Sequence, residues 1–209
     1  MFINVEGIDG SGKTTLINYL KTEFTDMHFT KEPTDSFEFD KLKKLDNKYD
    51  SIYNFFLFTY DRIKHQEEIK KNLDKIVISD RYLISSIAYE GPLIDQFFNN
   101  MDETINYILN TSKMIILPDI IIYLDADIDI SINRIINNRK SLNKNNKILS
   151  ILEEKDNLKN VKMYYNYFFD NLKKFTDKDI RIIKIDANRN INEIFNDAHK
   201  VIKDIISNL

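Results

Sequence analysis

The chain has 209 residues, of which 43% are hydrophobic and 30% charged, and its formal net charge is −3. That is enough apolar material for one sizeable core, without the basic excess that a nucleic-acid backbone demands, so no nucleic-acid partner is expected. Absence of cysteine excludes disulfides, thiol catalysis and thiolate metal sites, and His28, His65 and His199 are too scattered to read as zinc ligands.

Taken in chain order, short apolar runs alternate with longer segments of helical period. A strand is expected at Phe2–Val5, a helix at Lys13–Phe24, a strand at Met27–Thr30, a helix at Ser51–Leu73 and a strand at Ile76–Ser79. Helices at Leu83–Ala88 and Thr104–Thr111, a strand at Ile120–Leu124, helices at Ile128–Asn138 and Ile151–Phe175, a strand at Ile180–Ile185 and a helix at Ile191–Ile206 complete the series. This alternation predicts an α/β fold, a five-stranded parallel sheet with helices on both faces, as one domain over residues 1–209. The polar, basic stretch Asn137–Lys147 reads as a loop between helices. The start MFINVEGIDG has neither the basic residues nor the long apolar run of a leader, and Pro118 and Asp119 interrupt the longest apolar run, Met114 to Leu124. A soluble, cytoplasmic protein with no membrane partner is expected.

Only four glycines occur, and three of them fall within six residues. Gly7-Ile8-Asp9-Gly10-Ser11-Gly12-Lys13-Thr14 fits G-x-x-x-x-G-K-[ST] between an expected strand and an expected helix, the context of a P-loop. In such a loop the backbone N–H groups of Gly7 to Thr14 surround the phosphates of ATP, Lys13 reaches the β and γ oxygens, and the Thr14 hydroxyl holds Mg²⁺. Asn47-Lys48-Tyr49-Asp50 matches a guanine-reading N-K-x-D pattern. No apolar strand precedes it, however, and no Asp-x-x-Gly switch exists, so a helix start capped by Asp50 or Ser51 is the better reading.

Asp80 ends a strand, at the sheet edge where ligands of doubly wound folds bind, and suits a role in orienting Mg²⁺ or its waters. Arg81 beside it suits a bidentate clamp on a phosphate. Phe58 and Arg62 stand at i, i+4 on one helical stripe, an aromatic face beside a planar donor fork, suited to stacking on a base and bonding its edge. Taken alone, Phe58 fits core packing and Asp61-Arg62 a surface ion pair equally well.

Beyond the loop, Lys31-Glu32-Pro33, Phe58-Thr59-Tyr60-Asp61-Arg62, Asp80-Arg81-Tyr82 with Ser85-Ser86-Ile87-Ala88-Tyr89-Glu90-Gly91, and Pro118-Asp119 before Tyr123-Leu124-Asp125 resemble segments of the thymidylate kinase family of nucleoside monophosphate kinases, over nearly the whole chain. The resemblance implies phosphorylation of dTMP to dTDP with ATP and Mg²⁺ in a cytoplasmic homodimer. It places Asp9 near the sugar 3′-hydroxyl, Tyr89 near the 2′ face, Ser86 near the base, Arg81 on the acceptor phosphate, and Glu32 and Pro33 beside the substrate. It also implies a lid over about 137–150, with Arg134 on ATP and a cation, either Arg139 or one of Lys140, Lys144 and Lys147, neutralising the transferring phosphoryl group. Five features depart from the family pattern: Gly10 where some members carry an Arg, Lys31 where Arg is usual, Glu90 where many bacterial ones have Gln, Thr34-Asp35-Ser36 in place of Gly-Gly-Thr, and Ser150-Ile151-Leu152-Glu153 in place of a lid Asp-Arg. Two rival readings stay open: a deoxynucleoside kinase with Glu32 as general base, and a non-catalytic nucleotide-binding regulator.

Overall fold

Five apolar segments pair into one parallel sheet in the computed structural model, which describes residues 1–141 and 149–208. The strands are β1 (Phe2–Glu6), β2 (His28–Lys31), β3 (Val77–Asp80), β4 (Ile120–Asp125) and β5 (Arg181–Asp186), in the spatial order β2-β3-β1-β4-β5. Helices cover both faces of a parallel sheet, so its central strands read as continuous apolar runs rather than alternating ones. Accordingly Ile3 and Val5 of β1 and Ile121 and Ile122 of β4 are fully buried, and each such side chain contributes about 1.5–3 kcal/mol of hydrophobic stabilisation. Because β1 pairs with β3 on one side and β4 on the other, the segments leaving their carboxyl ends converge on one crevice.

The helices are α1 (Lys13–Glu23), α2 (Lys48–Lys71), α3 (Leu83–Tyr89), α4 (Gly91–Ile94), α5 (Met101–Thr111), α6 (Ile128–Ser141), α7 (Lys155–Asp170), α8 (Leu172–Phe175) and α9 (Ile191–Ser207). Among the described residues no helix is long and apolar enough to cross a membrane.

Several expected boundaries move, each for a local reason. α2 begins at Lys48 rather than Ser51: Asn47, not Asp50 or Ser51, is the cap, and Asp50 returns its carboxylate to the Asn47 N–H, completing a capping box. The N-K-x-D match is thereby accounted for as a helix start. The single helix expected over Ile151–Phe175 is instead a 3₁₀ turn (Ile151–Glu153), α7 and α8, broken at Glu154, which is extended, and at Asn171. α6 runs to Ser141, so residues 137–141 of the expected loop are helical. Lys144 and Lys147 lie outside the described residues.

Candidate active site

β1 delivers the chain into the glycine loop and α1 carries it away. Gly12 caps α1 in the left-handed conformation, φ 99°. Gly10 has φ 78°, and a β-carbon there would lie 2.3 Å from the Ser131 carbonyl oxygen of α6. No side chain fits at position 10, so the absence of an arginine from the loop follows from how closely α6 packs on it.

Lys13 is buried, and its ammonium donates to the Gly7 and Ile8 carbonyls at 2.8 and 2.9 Å. Burial and the neighbouring Arg81 charge press its pKa down to about 8, against the pull of Asp9, Asp80 and Glu6. The loop therefore holds a desolvated cation that a bound polyanion would restore to full charge. At the start of α1 the Thr14 hydroxyl donates to Asp80 Oδ2 at 3.2 Å, while Asp80 Oδ1 is buried without a partner among the described residues. A hard-cation site fits here, since an orphaned carboxylate oxygen sits beside a hydroxyl. Among the described residues no group of three or more His, Asp or Glu side chains could hold a metal by itself, so the remaining ligands would be phosphate and water oxygens.

Arg81 adopts φ 68°, a left-handed conformation that costs a non-glycine residue roughly 1–2 kcal/mol. The surroundings hold it there: its N–H donates to the Val5 carbonyl at 3.0 Å, and the Ser79 hydroxyl donates to its carbonyl at 2.6 Å. This turn aims the guanidinium back over the phosphate loop. It pairs with Asp9, donates to the Ser85 hydroxyl at 3.2 Å and lies 4.8 Å from the centre of the Tyr89 ring. The Tyr89 hydroxyl in turn accepts from the Asp9 N–H at 2.8 Å. Burial alone would raise the Asp9 pKa, but Arg81 and Lys13 outweigh it and hold the carboxyl below its usual value.

Beside this pair opens a cavity of about 160 Å³. All eight residues expected at the acceptor line it: Asp9, Arg81 and Tyr89; Glu32 and Pro33 beyond β2; Phe58 and Arg62 of α2; and Ser86 of α3. Phe58 stacks one face on Phe37, with ring centres 4.9 Å apart. Arg62 is 2% exposed; its Nε donates to Glu32 at 2.8 Å and its Nη2 to the Ser86 hydroxyl at 2.9 Å. Its Nη1 has no partner among the described residues, which leaves one buried donor for an acceptor atom of a ligand. Burial disfavours the Arg62 charge, but Glu32 and Glu90 more than restore it.

Glu32 lines the cavity with its carboxylate already engaged, by Arg62 on one oxygen and by His65 Nδ1, 3.0 Å away, on the other. Arg139 departs from the expected arrangement: its Nη2 donates to both oxygens of Glu153 at 2.7 and 2.6 Å, tying the end of α6 to the 3₁₀ turn. It remains near enough to Asp9 to help lower that carboxyl's pKa. Arg134 is half-buried and makes no hydrogen bond or ion pair among the described residues.

Four residues at the site escaped the sequence reading of the pocket. Leu152, from the 3₁₀ turn, and Ser85 line the cavity. His65 is buried, with Nε2 2.6 Å from the Thr30 hydroxyl and Nδ1 on Glu32. Glu6 is buried at the end of β1, where it accepts from the Tyr82 N–H at 3.0 Å and from the Ser85 and Tyr165 hydroxyls at 2.7 Å each. Burial raises its pKa against the pull of Ser85 and Arg81. The readable signal for Glu6 was a lone acid closing the apolar strand FINVE.

The family model "Thymidylate kinase" matches residues 5–198. A probable thymidylate kinase of Picrophilus torridus is 47% identical over 206 residues, covering 99% of this chain and 97% of the relative. One of Thermoplasma volcanium is 33% identical, covering 99% of each. Among solved structures, the thymidylate kinase of Candida albicans superposes with a TM-score of 0.68 at 22% identity, covering 97% of this chain and 90% of that one, a likeness of fold.

Proposed function

Because the chain belongs to the thymidylate kinase family, we propose that it transfers the γ-phosphoryl group of ATP to the 5′-phosphate of dTMP, giving dTDP and ADP. The observation that carries this reading is the Arg81–Asp9 pair, which joins the phosphate loop to the cavity that holds Phe58 and Arg62. Donor and acceptor phosphates then meet between Lys13 and Arg81.

The backbone of Gly7, Ile8, Asp9, Gly10, Ser11 and Gly12 cradles the donor phosphates. Lys13 exchanges its two carbonyl contacts for the β and γ oxygens. Thr14 and Asp80 would hold Mg²⁺, which supplies charge neutralisation on the donor phosphates. Arg81 grips the acceptor phosphate and fixes its oxygen in line with the γ-phosphorus. That oxygen forms the new P–O bond as the bond to the leaving ADP oxygen breaks, so no covalent enzyme intermediate is needed. Asp9 and Tyr89 meet the sugar, Phe58 stacks on thymine, and the free Nη1 of Arg62 donates to O4. Arg139, swung off Glu153, and Arg134 meet the phosphates from the lid side.

The deoxynucleoside kinase reading is disfavoured because Glu32, its general base, is engaged by Arg62 and His65. A cytoplasmic homodimer completes the proposal. Tyr49, Tyr53, Phe56 and Tyr60 are exposed at successive turns of α2, a stripe that a second copy would cover. The deciding experiment compares ADP formation with dTMP, with thymidine and with buffer alone. Turnover dependent on dTMP supports the proposal, whereas turnover with thymidine instead, or none above buffer, overturns it.

A further inference from the structure

One half-buried ionisable group in the acceptor cavity has no role in the mechanism above. Glu90, at the end of α3, lines the same wall as Arg62 and Ser86. The Ser86 oxygen already accepts from Arg62. The wall therefore presents an orphaned donor, Arg62 Nη1, next to a carboxyl group that changes from acceptor to donor when it takes up a proton. Pyrimidines differ along the matching edge. Thymine offers an acceptor at O4 and a donor at N3–H; cytosine offers an amino donor at C4 and an acceptor at N3.

We propose that Glu90 is a specificity-determining residue: as a carboxylate it accepts the N3–H of thymine beside the O4-directed donor of Arg62, and as a carboxylic acid it accommodates the N3 acceptor of cytosine, so that base selectivity follows pH. The inference rests on the assignment of the cavity to the acceptor base.

The surroundings of Glu90 set the range. Burial pushes its pKa up to about 7, against Ser86, Arg62 and Arg81, while Glu32 adds to the rise. Asp9 lines the same cavity from the phosphate loop. His65 of α2 reaches the group only through Glu32. α7 presents Tyr164, whose ring lies against Gly91, and Tyr165, which is bonded to Glu6.

The test is the ratio of kcat/KM for dTMP to that for dCMP, measured from about pH 5.5 to 8.5 for the wild type and for Glu90→Gln. A ratio cancels whatever pH does to ATP binding or phosphoryl transfer, which both substrates share. For the wild type it should rise about ten- to hundred-fold through a midpoint near 7, the worth of one hydrogen bond to a charged group. Glu90→Gln, with a side chain that both donates and accepts at every pH, should give a flat profile. A wild-type ratio independent of pH, or a titration that survives in Glu90→Gln, would overturn the inference while leaving dTMP kinase activity standing. Absence of dTMP turnover at every pH would overturn the functional assignment and this inference with it.

Discussion

Removing Glu32 should unfold the protein more readily and blur its choice of base, for the same reason. Glu32 and Arg62 side chains are only 6% and 3% exposed, so their contact belongs to the buried regime, in which deleting one partner strands the other's charge at a cost of about 3–5 kcal/mol. Losing the His65 contact adds roughly 1 kcal/mol. With a urea dependence of about 2–3 kcal/mol per molar, Glu32→Ala should lower the unfolding midpoint by about 1.3–3 M. Replacing the pair together, as Glu32→Leu with Arg62→Met, should recover most of that loss, because apolar residues can fill a buried ion-pair site at little cost. The double variant should still discriminate less between dTMP and dCMP than the wild type, since the donor that reads O4 is gone. Equilibrium unfolding in urea and kcat/KM for both nucleotides are the measurements. A loss under about 1 kcal/mol for Glu32→Ala, the size of an exposed pair, would refute the view that this pair organises the pocket.

Lys13→Ala should leave a folded protein whose kcat falls by at least about 10²-fold, because its contact to the γ-phosphoryl strengthens in the transition state; steady-state turnover near wild type would exclude that role. Arg139→Ala should lower kcat by about 10³- to 10⁵-fold with dTMP affinity nearly unchanged, and an unaltered kcat would move the duty to Arg134 or a lid lysine. Glu90 has a folded pKa near 7 against an ordinary value of 4.5, so its protonated form is the one that favours folding. Stability is therefore lost as pH rises from about 4.5 to 7. Glu90→Gln should match the wild type near pH 4 and exceed it above pH 7 by on the order of 3 kcal/mol in thermal or urea unfolding, and equal stability at pH 8 would contradict the raised pKa.

The legibility of this chain follows from where local chemistry dictates structure. The phosphate loop and the five strands were readable because glycine placement and apolar runs are local signals, and the i, i+4 spacing of Phe58 and Arg62 placed both in one cavity before any tertiary contact was known. The segment Ile151–Phe175 was not, because its apolar positions recur without interruption while the backbone breaks at Glu154 and Asn171. Ser150 and Glu153 form a capping box there, a signal present in the sequence that apolar periodicity overrode. The pairing of Arg139 with Glu153 and of Glu32 with His65 joins residues distant in the chain, and spacing carries no trace of either. Glycine at position 10 read as a missing arginine; in the structure it reads as the close approach of Ser131.

The most direct test of the whole account is ³¹P NMR of the protein with ATP, Mg²⁺ and equimolar dTMP. The account predicts that the dTMP monophosphate resonance gives way to the two coupled resonances of dTDP, in step with conversion of ATP to ADP and without release of inorganic phosphate. Appearance of inorganic phosphate while dTMP stays unchanged, or no change in any resonance, would contradict it.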